Sequence, residues 1–189
     1  MNFLGDWGKD IGLLIAGWSR YGSEEAFEAD PLRHLLDAYT RIHGLLIEER
    51  DAAKRVRQNQ GDDSTAVCHD IEAEKDDYFK RLEAGDPDIL ALWERFRKVC
   101  ELKYVELYAR LGIKFDKYSG ESQVSKESIE EVETILNEKG FYKENNDERM
   151  IEFSKLGERG FADVKARSAD GTTTYLLRDI AAAFQRSKE

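Results

Sequence analysis

Two cysteines, three histidines and two prolines are all that 189 residues supply of those types. Cys68 and Cys100 lie far apart with no Cys-x-x-Cys pair, which argues against a disulfide scaffold or a zinc site. His34, His43 and His69 do not fall at metal-ligand spacings. No run reaches the ~18 apolar residues that a membrane-spanning helix needs. Met1 to Asp10 lacks the basic-then-apolar order of a secretory signal. Positive charge is short as well: 29 Lys and Arg face 39 Asp and Glu, a net charge of −10. Sequence-blind coating of nucleic acid needs a basic field, so DNA is not an expected partner, although a local basic patch would still suit RNA. GxGxxG, Walker and GxSxG strings are missing, and with them the usual phosphate-binding and acyl-transfer signatures.

What is present suits a water-soluble, cytoplasmic-type globular chain. Hydrophobic residues make up 41% of the sequence. A chain of this length buries roughly 70% of its unfolded surface and needs neither disulfide nor metal to fold. Asn2-Phe-Leu4 reads as a short strand, Gly5-Asp-Trp-Gly8 as a tight turn, and Ile11 to Trp18 as a helix. Both prolines follow an aspartate, as N-cap and first helical residue: Asp30-Pro31 and Asp86-Pro87. The first opens a stripe of Leu32, Leu35, Leu36, Tyr39, Ile42 and Leu46, after which Glu48 to Gln60 turns highly charged and Gln58 to Ser64 reads as an exposed loop. A shorter helix is expected from Asp70 to Glu83. The second proline opens a helix of about 24 residues ending near Gly112, with Cys100 on its apolar side as a small buried residue rather than a nucleophile.

The last third changes character. Ile113 to Tyr118 alternates like a strand, and Ser119 to Ser122 turns the chain. Val124 and Ile129 flank Ser125 as a staple around an N-cap, opening a helix that stops at Gly140. Met150 to Phe153 and Phe161 to Ala166 read as short strands. Asp170-Gly171 reads as a hairpin turn between Val164–Ser168 and Thr172–Leu176, and Arg178 to Arg186 as a final helix.

Two places go beyond core patterning. The Gly5–Gly8 turn presents Asp6 and Trp7 at the carboxyl end of a strand, the edge where open α/β sheets bind ligands; an ordinary strand–helix turn with Trp7 in the core is the plainer reading. If a helix includes residue 175, Tyr175 and Asp179 share a face, and Asp179 is suited to a bidentate bond with a guanidinium. Its plainer reading is a carboxylate that offsets the helix dipole.

Several strings together resemble one family. Asn2-Phe-Leu-Gly-Asp-Trp-Gly8 with Gly12-Leu-Leu14 is similar to the strand and turn of arginyl-tRNA synthetases. Ala91-Leu-Trp-Glu-Arg-Phe-Arg97 and Tyr108-Ala-Arg-Leu-Gly-Ile-Lys-Phe-Asp116 resemble that family's catalytic-domain insert. Tyr118-Ser-Gly-Glu-Ser-Gln-Val124 is the most specific string, and Ala169 to Ala182 completes the set in the expected order. The resemblance runs through nearly the whole chain and is closest to eukaryotic, especially fungal, cytosolic forms.

The resemblance implies an α/β fold: part of a class I Rossmann-type catalytic domain with a mainly helical insertion. The expected division is 1–22 for the first part of the core, 23–112 for the insertion and 113–189 for the remainder. It also implies that Tyr175 and Asp179 bind substrate arginine, with the carboxylate on the guanidinium, and that Asp6 and Trp7 line the same pocket. Arginine, and with it tRNA, are the implied partners; ATP and Mg are the family's substrates, and no tightly bound cofactor is implied. The 189 residues contain neither the family's His-x-Gly-His string nor its Lys-Met-Ser-Lys-like loop, so little activation chemistry is expected of this stretch alone and no residue is assigned to catalysis. Asp10 stands where the family usually has Gln. Alternatives are a tRNA-dependent arginyl transferase working without ATP, as in cyclodipeptide synthases, with Ser119 or Ser122 as nucleophile, or a non-catalytic arginine-binding module. The strand at Asn2–Leu4 is further expected to expose an edge through which copies associate.

Overall fold

A computed structural model describes residues 1–60, 70–145, 147–156 and 162–188. Cys68, His69, the predicted loop beyond residue 60 and the Phe161 start of a predicted strand lie outside them. The chain divides into two compact units, Lys9–Lys114 and a discontinuous one made of Met1–Gly8 with Phe115–Glu189.

The first of these is helical: α1 (Lys9–Tyr21), α2 (Glu24–Ala29), α3 (Pro31–Gln60), α4 (Asp70–Ala84) and α5 (Pro87–Arg110). Leu13, Ala16, Ile42, Leu46 and Ile71 form a core where α1 packs on α3 and α4. The close approach of α1 depends on glycine: a Cβ at Gly12 would strike the Lys75 carbonyl, and one at Gly17 would sit 2.8 Å from that of Ala38. Trp18, Phe27 and Phe96 pack edge-on as a second apolar cluster. Asp86 caps α5 by accepting from the Asp88 and Ile89 amides, and Gly112, at φ 70°, closes it. Ile113 N–H then reaches the Tyr108 carbonyl and Gly112 N–H that of Ala109, the paired bonds of a Schellman end. Cys100 is a half-buried free thiol, pushed upward in pKa by burial. Asp10 accepts the Tyr39 hydroxyl's hydrogen bond, one reason, after burial, that this phenol's pKa is raised.

The charged stretch after Leu46 stays helical to Gln60, so the loop predicted from Gln58 begins too early. Its support comes from α4: Glu49 accepts the Ile71 amide at 2.9 Å, and Arg50 reaches Glu72 at 2.7 Å.

In the other unit, β1 (Asn2–Leu4) pairs in parallel with β2 (Tyr118–Gly120), Asn2 opposite Tyr118 and Leu4 opposite Gly120. Parallel strands need a long crossover, and the helical unit lies within the chain that joins them. A 3₁₀ turn at Glu121–Gln123 leads to α6 (Lys126–Glu138), which Ser125 caps by accepting the Ser128 amide. An antiparallel sheet follows in the order β3 (Tyr142–Asn145), β4 (Glu148–Ile151), β5 (Val164–Arg167). The chain ends in α7 (Tyr175–Arg186). Ile129, Val132, Ile151, Ala166, Leu177 and Ala181 form the core between α6, α7 and this sheet.

Three further local expectations are corrected, and one strand is added. Residues 113–117 are not a strand, and β2 begins only at Tyr118. β3 was not foreseen, because its residues, Tyr-Lys-Glu-Asn, carry one apolar side chain. Phe153 belongs to a 3₁₀ turn rather than to a strand. The second arm of the predicted Asp170-Gly171 hairpin shrinks to one bridge, Arg167 with Thr173, because α7 starts at Tyr175, three residues before the expected Arg178.

Candidate functional site

The discontinuous unit holds all four residues singled out from sequence, on two segments far apart in the chain. Asp6 and Trp7 follow β1. Tyr175 and Asp179 sit on the first turns of α7, four residues apart and therefore on one face. Thr174 occupies the N-cap position, but its hydroxyl donates to the Lys165 carbonyl at 2.8 Å instead of capping, which ties the start of α7 to β5.

Their environments differ. Asp6 is buried, and its carboxylate accepts the Ser122 amide at 3.0 Å and the Ser122 hydroxyl at 2.8 Å. Gly120 makes room for it, since a Cβ there would fall 2.6 Å from the carboxyl carbon. Asp6 therefore fastens the turn after β1 to the turn after β2. Trp7 is half-buried, and its carbonyl accepts from Arg178 at 3.3 Å. Tyr175 is 64% exposed and Asp179 is exposed; among the described residues neither has a hydrogen bond or ion pair.

Sequence reasoning missed two residues between these segments. Arg178 is 3% exposed. It pairs with Glu121, Nε to Oε2 at 2.7 Å, while Nη1 donates to the Thr173 carbonyl and hydroxyl at 2.8 and 2.6 Å. Burial pushes the Glu121 carboxyl up; Arg178 opposes that shift, and the negative charges of Asp179 and Asp6 add to it. Of these carboxylates, Glu121 is the one that pairs with the buried guanidinium. Both missed residues lie inside strings already noticed, Tyr118–Val124 and Tyr175–Asp179, but only their apposition in space shows that they pair. Ser119 and Ser122, the candidate nucleophiles, are engaged elsewhere: Ser119 donates to Gln123 and Ser122 to Asp6.

The arrangement can receive a cation. An exposed carboxylate and phenol share one face of α7, and a carboxylate meets a guanidinium with two parallel hydrogen bonds. A 560 Å³ cavity elsewhere in this unit, lined by Glu130, Glu133, Thr134 and Tyr142 among others, includes none of the four predicted residues. No group of three or more His, Cys, Asp or Glu that would hold a metal occurs among the described residues, and none of their helices is long and apolar enough to cross a membrane.

Comparison with known proteins bears on this geometry. Residues 1–189 match the profile of the family described as tRNA synthetases class I (R), catalytic domain. The chain is 42% identical over 186 residues to the cytoplasmic arginine–tRNA ligase of Saccharomyces cerevisiae, covering 98% of this chain and 28% of that protein. It is 41% identical to the probable cytoplasmic arginine–tRNA ligase of Dictyostelium discoideum, with coverage of 98% and 32%. The mitochondrial arginine–tRNA ligase of S. cerevisiae is 39% identical, over 100% of this chain and 27% of its own length. The chain thus spans about a third or less of the curated relatives it matches. Among solved structures, the arginyl-tRNA synthetase of Plasmodium falciparum superposes with a TM-score of 0.61 at 19% identity, over 98% of this chain and 27% of that one, a likeness of fold.

Proposed function

The chain belongs to the class I arginyl-tRNA synthetase catalytic-domain family, and from that premise we propose that its discontinuous unit carries the arginine-binding part of an arginine–tRNA ligase. One observation carries the reading. Tyr175 and Asp179, exposed and without partners among the described residues, share a face of α7, and the Asp179 charge is felt at Glu121, the half-buried partner of the buried Arg178. Asp179 takes the guanidinium through two hydrogen bonds and Tyr175 lies along the side chain. The Gly5–Gly8 turn supplies the wall, with Asp6 holding its shape rather than touching the ligand, since its oxygens already serve Ser122.

In the ligase reaction arginine is activated with ATP and passed to tRNA. Charge develops on the ATP α-phosphate, and preorganised donors, each worth about 10²–10³ in rate, stabilise it. The 189 residues contain neither of the two ATP signature strings, so this stretch supplies amino-acid recognition and leaves that charge without its usual donors. The arginine–tRNA ligase names of its relatives favour this reading over an ATP-independent transferase.

Calorimetric titration tests it. Arginine binds the chain, and Asp179→Ala weakens binding at least tenfold, about 1.4 kcal/mol, while the melting temperature stays put because the side chain is exposed. Binding unchanged by Asp179→Ala would remove the guanidinium contact.

A further inference from the structure

Arg178 precedes Asp179 in the chain and is the least exposed of the buried charged residues described. Its acceptors come from three separate places: the Trp7 carbonyl in the turn after β1, Glu121 in the turn after β2, and Thr173 just before α7. These four hydrogen bonds are among those that diverge from one planar group. A lysine ammonium could neutralise Glu121 but could not span these acceptors.

We propose that Arg178 is the positioning residue of the arginine site, clamping the Gly5–Gly8 turn and Glu121 onto the first turn of α7 so that Asp179 faces a floor of fixed shape and charge. The inference rests on the arginine-binding reading above.

Three observations support it. The turn lies against the guanidinium: Nη2 donates to the Trp7 carbonyl and sits 3.4 Å from where a Cβ on Gly8 would be, and Gly8 holds φ 143°, a conformation that L side chains rarely adopt. The charges also balance through Arg178, the positive group that opposes the crowding of Asp6, Glu121 and Asp179. Without it, Glu121 is left as a half-buried carboxylate without its counter-ion, in the negative field of Asp179 and Asp6, a costly arrangement. Finally, Arg178 and Asp179 are adjacent in the first turns of α7, so a clamp that fixes the backbone at Arg178 also fixes the backbone from which the Asp179 carboxylate projects. A bond serving stability alone would change how much of the chain is folded, and not the affinity of the folded chain.

The test compares the wild-type chain with Arg178→Lys and Thr173→Val at a temperature where far-UV circular dichroism shows each folded. Two quantities are read: the arginine dissociation constant, and the exchange protection of the Ser122 amide, which Asp6 holds on the clamped turn, relative to amides of α6. In Arg178→Lys the dissociation constant rises tenfold or more and Ser122 protection falls by a similar factor, while α6 protection is unchanged. Thr173→Val keeps the guanidinium but removes its hydroxyl acceptor, and it shows both changes in smaller measure. It decides the matter should Arg178→Lys fail to fold. Wild-type affinity and wild-type Ser122 protection in a folded variant overturn the proposal. Asp179→Ala separates the two claims: it weakens arginine binding at least tenfold while leaving Ser122 protection intact. Should the wild-type chain bind no arginine, the arginine reading falls, and Ser122 protection alone decides whether Arg178 holds the turn.

Discussion

Asp6 and Asp179 were both read as arginine contacts, and their surroundings give them different work. Asp179 stands exposed on a helix, while Asp6 is enclosed by Ser122 and by the absence of a side chain at Gly120. Gly120→Ala therefore forces the Asp6 carboxylate off its donors, and an overpacked, unsatisfied site of this kind costs about 1–3 kcal/mol; a urea midpoint lowered to match checks it. The relation of Tyr175 to Asp179 was legible because helical geometry fixes residues four apart. Asp6 with Ser122, and Trp7 with Arg178, were not, since each pair joins residues more than a hundred positions apart and no local pattern encodes them.

Helix starts were the most legible elements, because their chemistry is local. Asp30-Pro31, Asp86-Pro87 and Ser125 each stand where a helix begins. Ser125→Ala removes the acceptor of the Ser128 amide, and a loss of about 1 kcal/mol, read as a drop in melting temperature, is expected. Elements held by distant partners were less legible. The charged end of α3 looked like a loop approach until α4 supplied the partners of Glu49 and Arg50. That contact has a pH signature. Glu72 is held down to about 2, chiefly by its hydrogen bond from Arg50, with Lys75 adding. A carboxyl whose folded pKa is depressed stabilises fully above its ordinary 4.5 and loses that contribution as pH falls toward 2. Denaturation midpoints of Glu72→Gln should fall less steeply than wild type across that window; an identical slope would contradict the linkage.

At the scale of the whole molecule, the sequence resemblance carried the family and the α/β class, and the fold adds how the chain is divided. The unit proposed to bind arginine is discontinuous, Met1–Gly8 with Phe115–Glu189, because β1 finds its parallel partner only after the helical unit has been built. Linear reading cannot show that α1 groups with the helices instead of with the strand it follows. Since the chain spans about a third or less of its curated relatives and contains neither ATP signature string, the 189-residue stretch is expected to bind arginine while giving ATP–pyrophosphate exchange at background; exchange above background would show that it carries activation chemistry of its own.

The central claim is that arginine is recognised where the turn after β1 meets the start of α7. A ¹H–¹⁵N NMR titration of the isotopically labelled chain with arginine tests this residue by residue. The account predicts progressive shifts at Trp7, Glu121, Tyr175 and Asp179, with citrulline, the uncharged isostere, producing none at the same concentration. Shifts confined to Lys9–Lys114, or equal responses to arginine and citrulline, would contradict it.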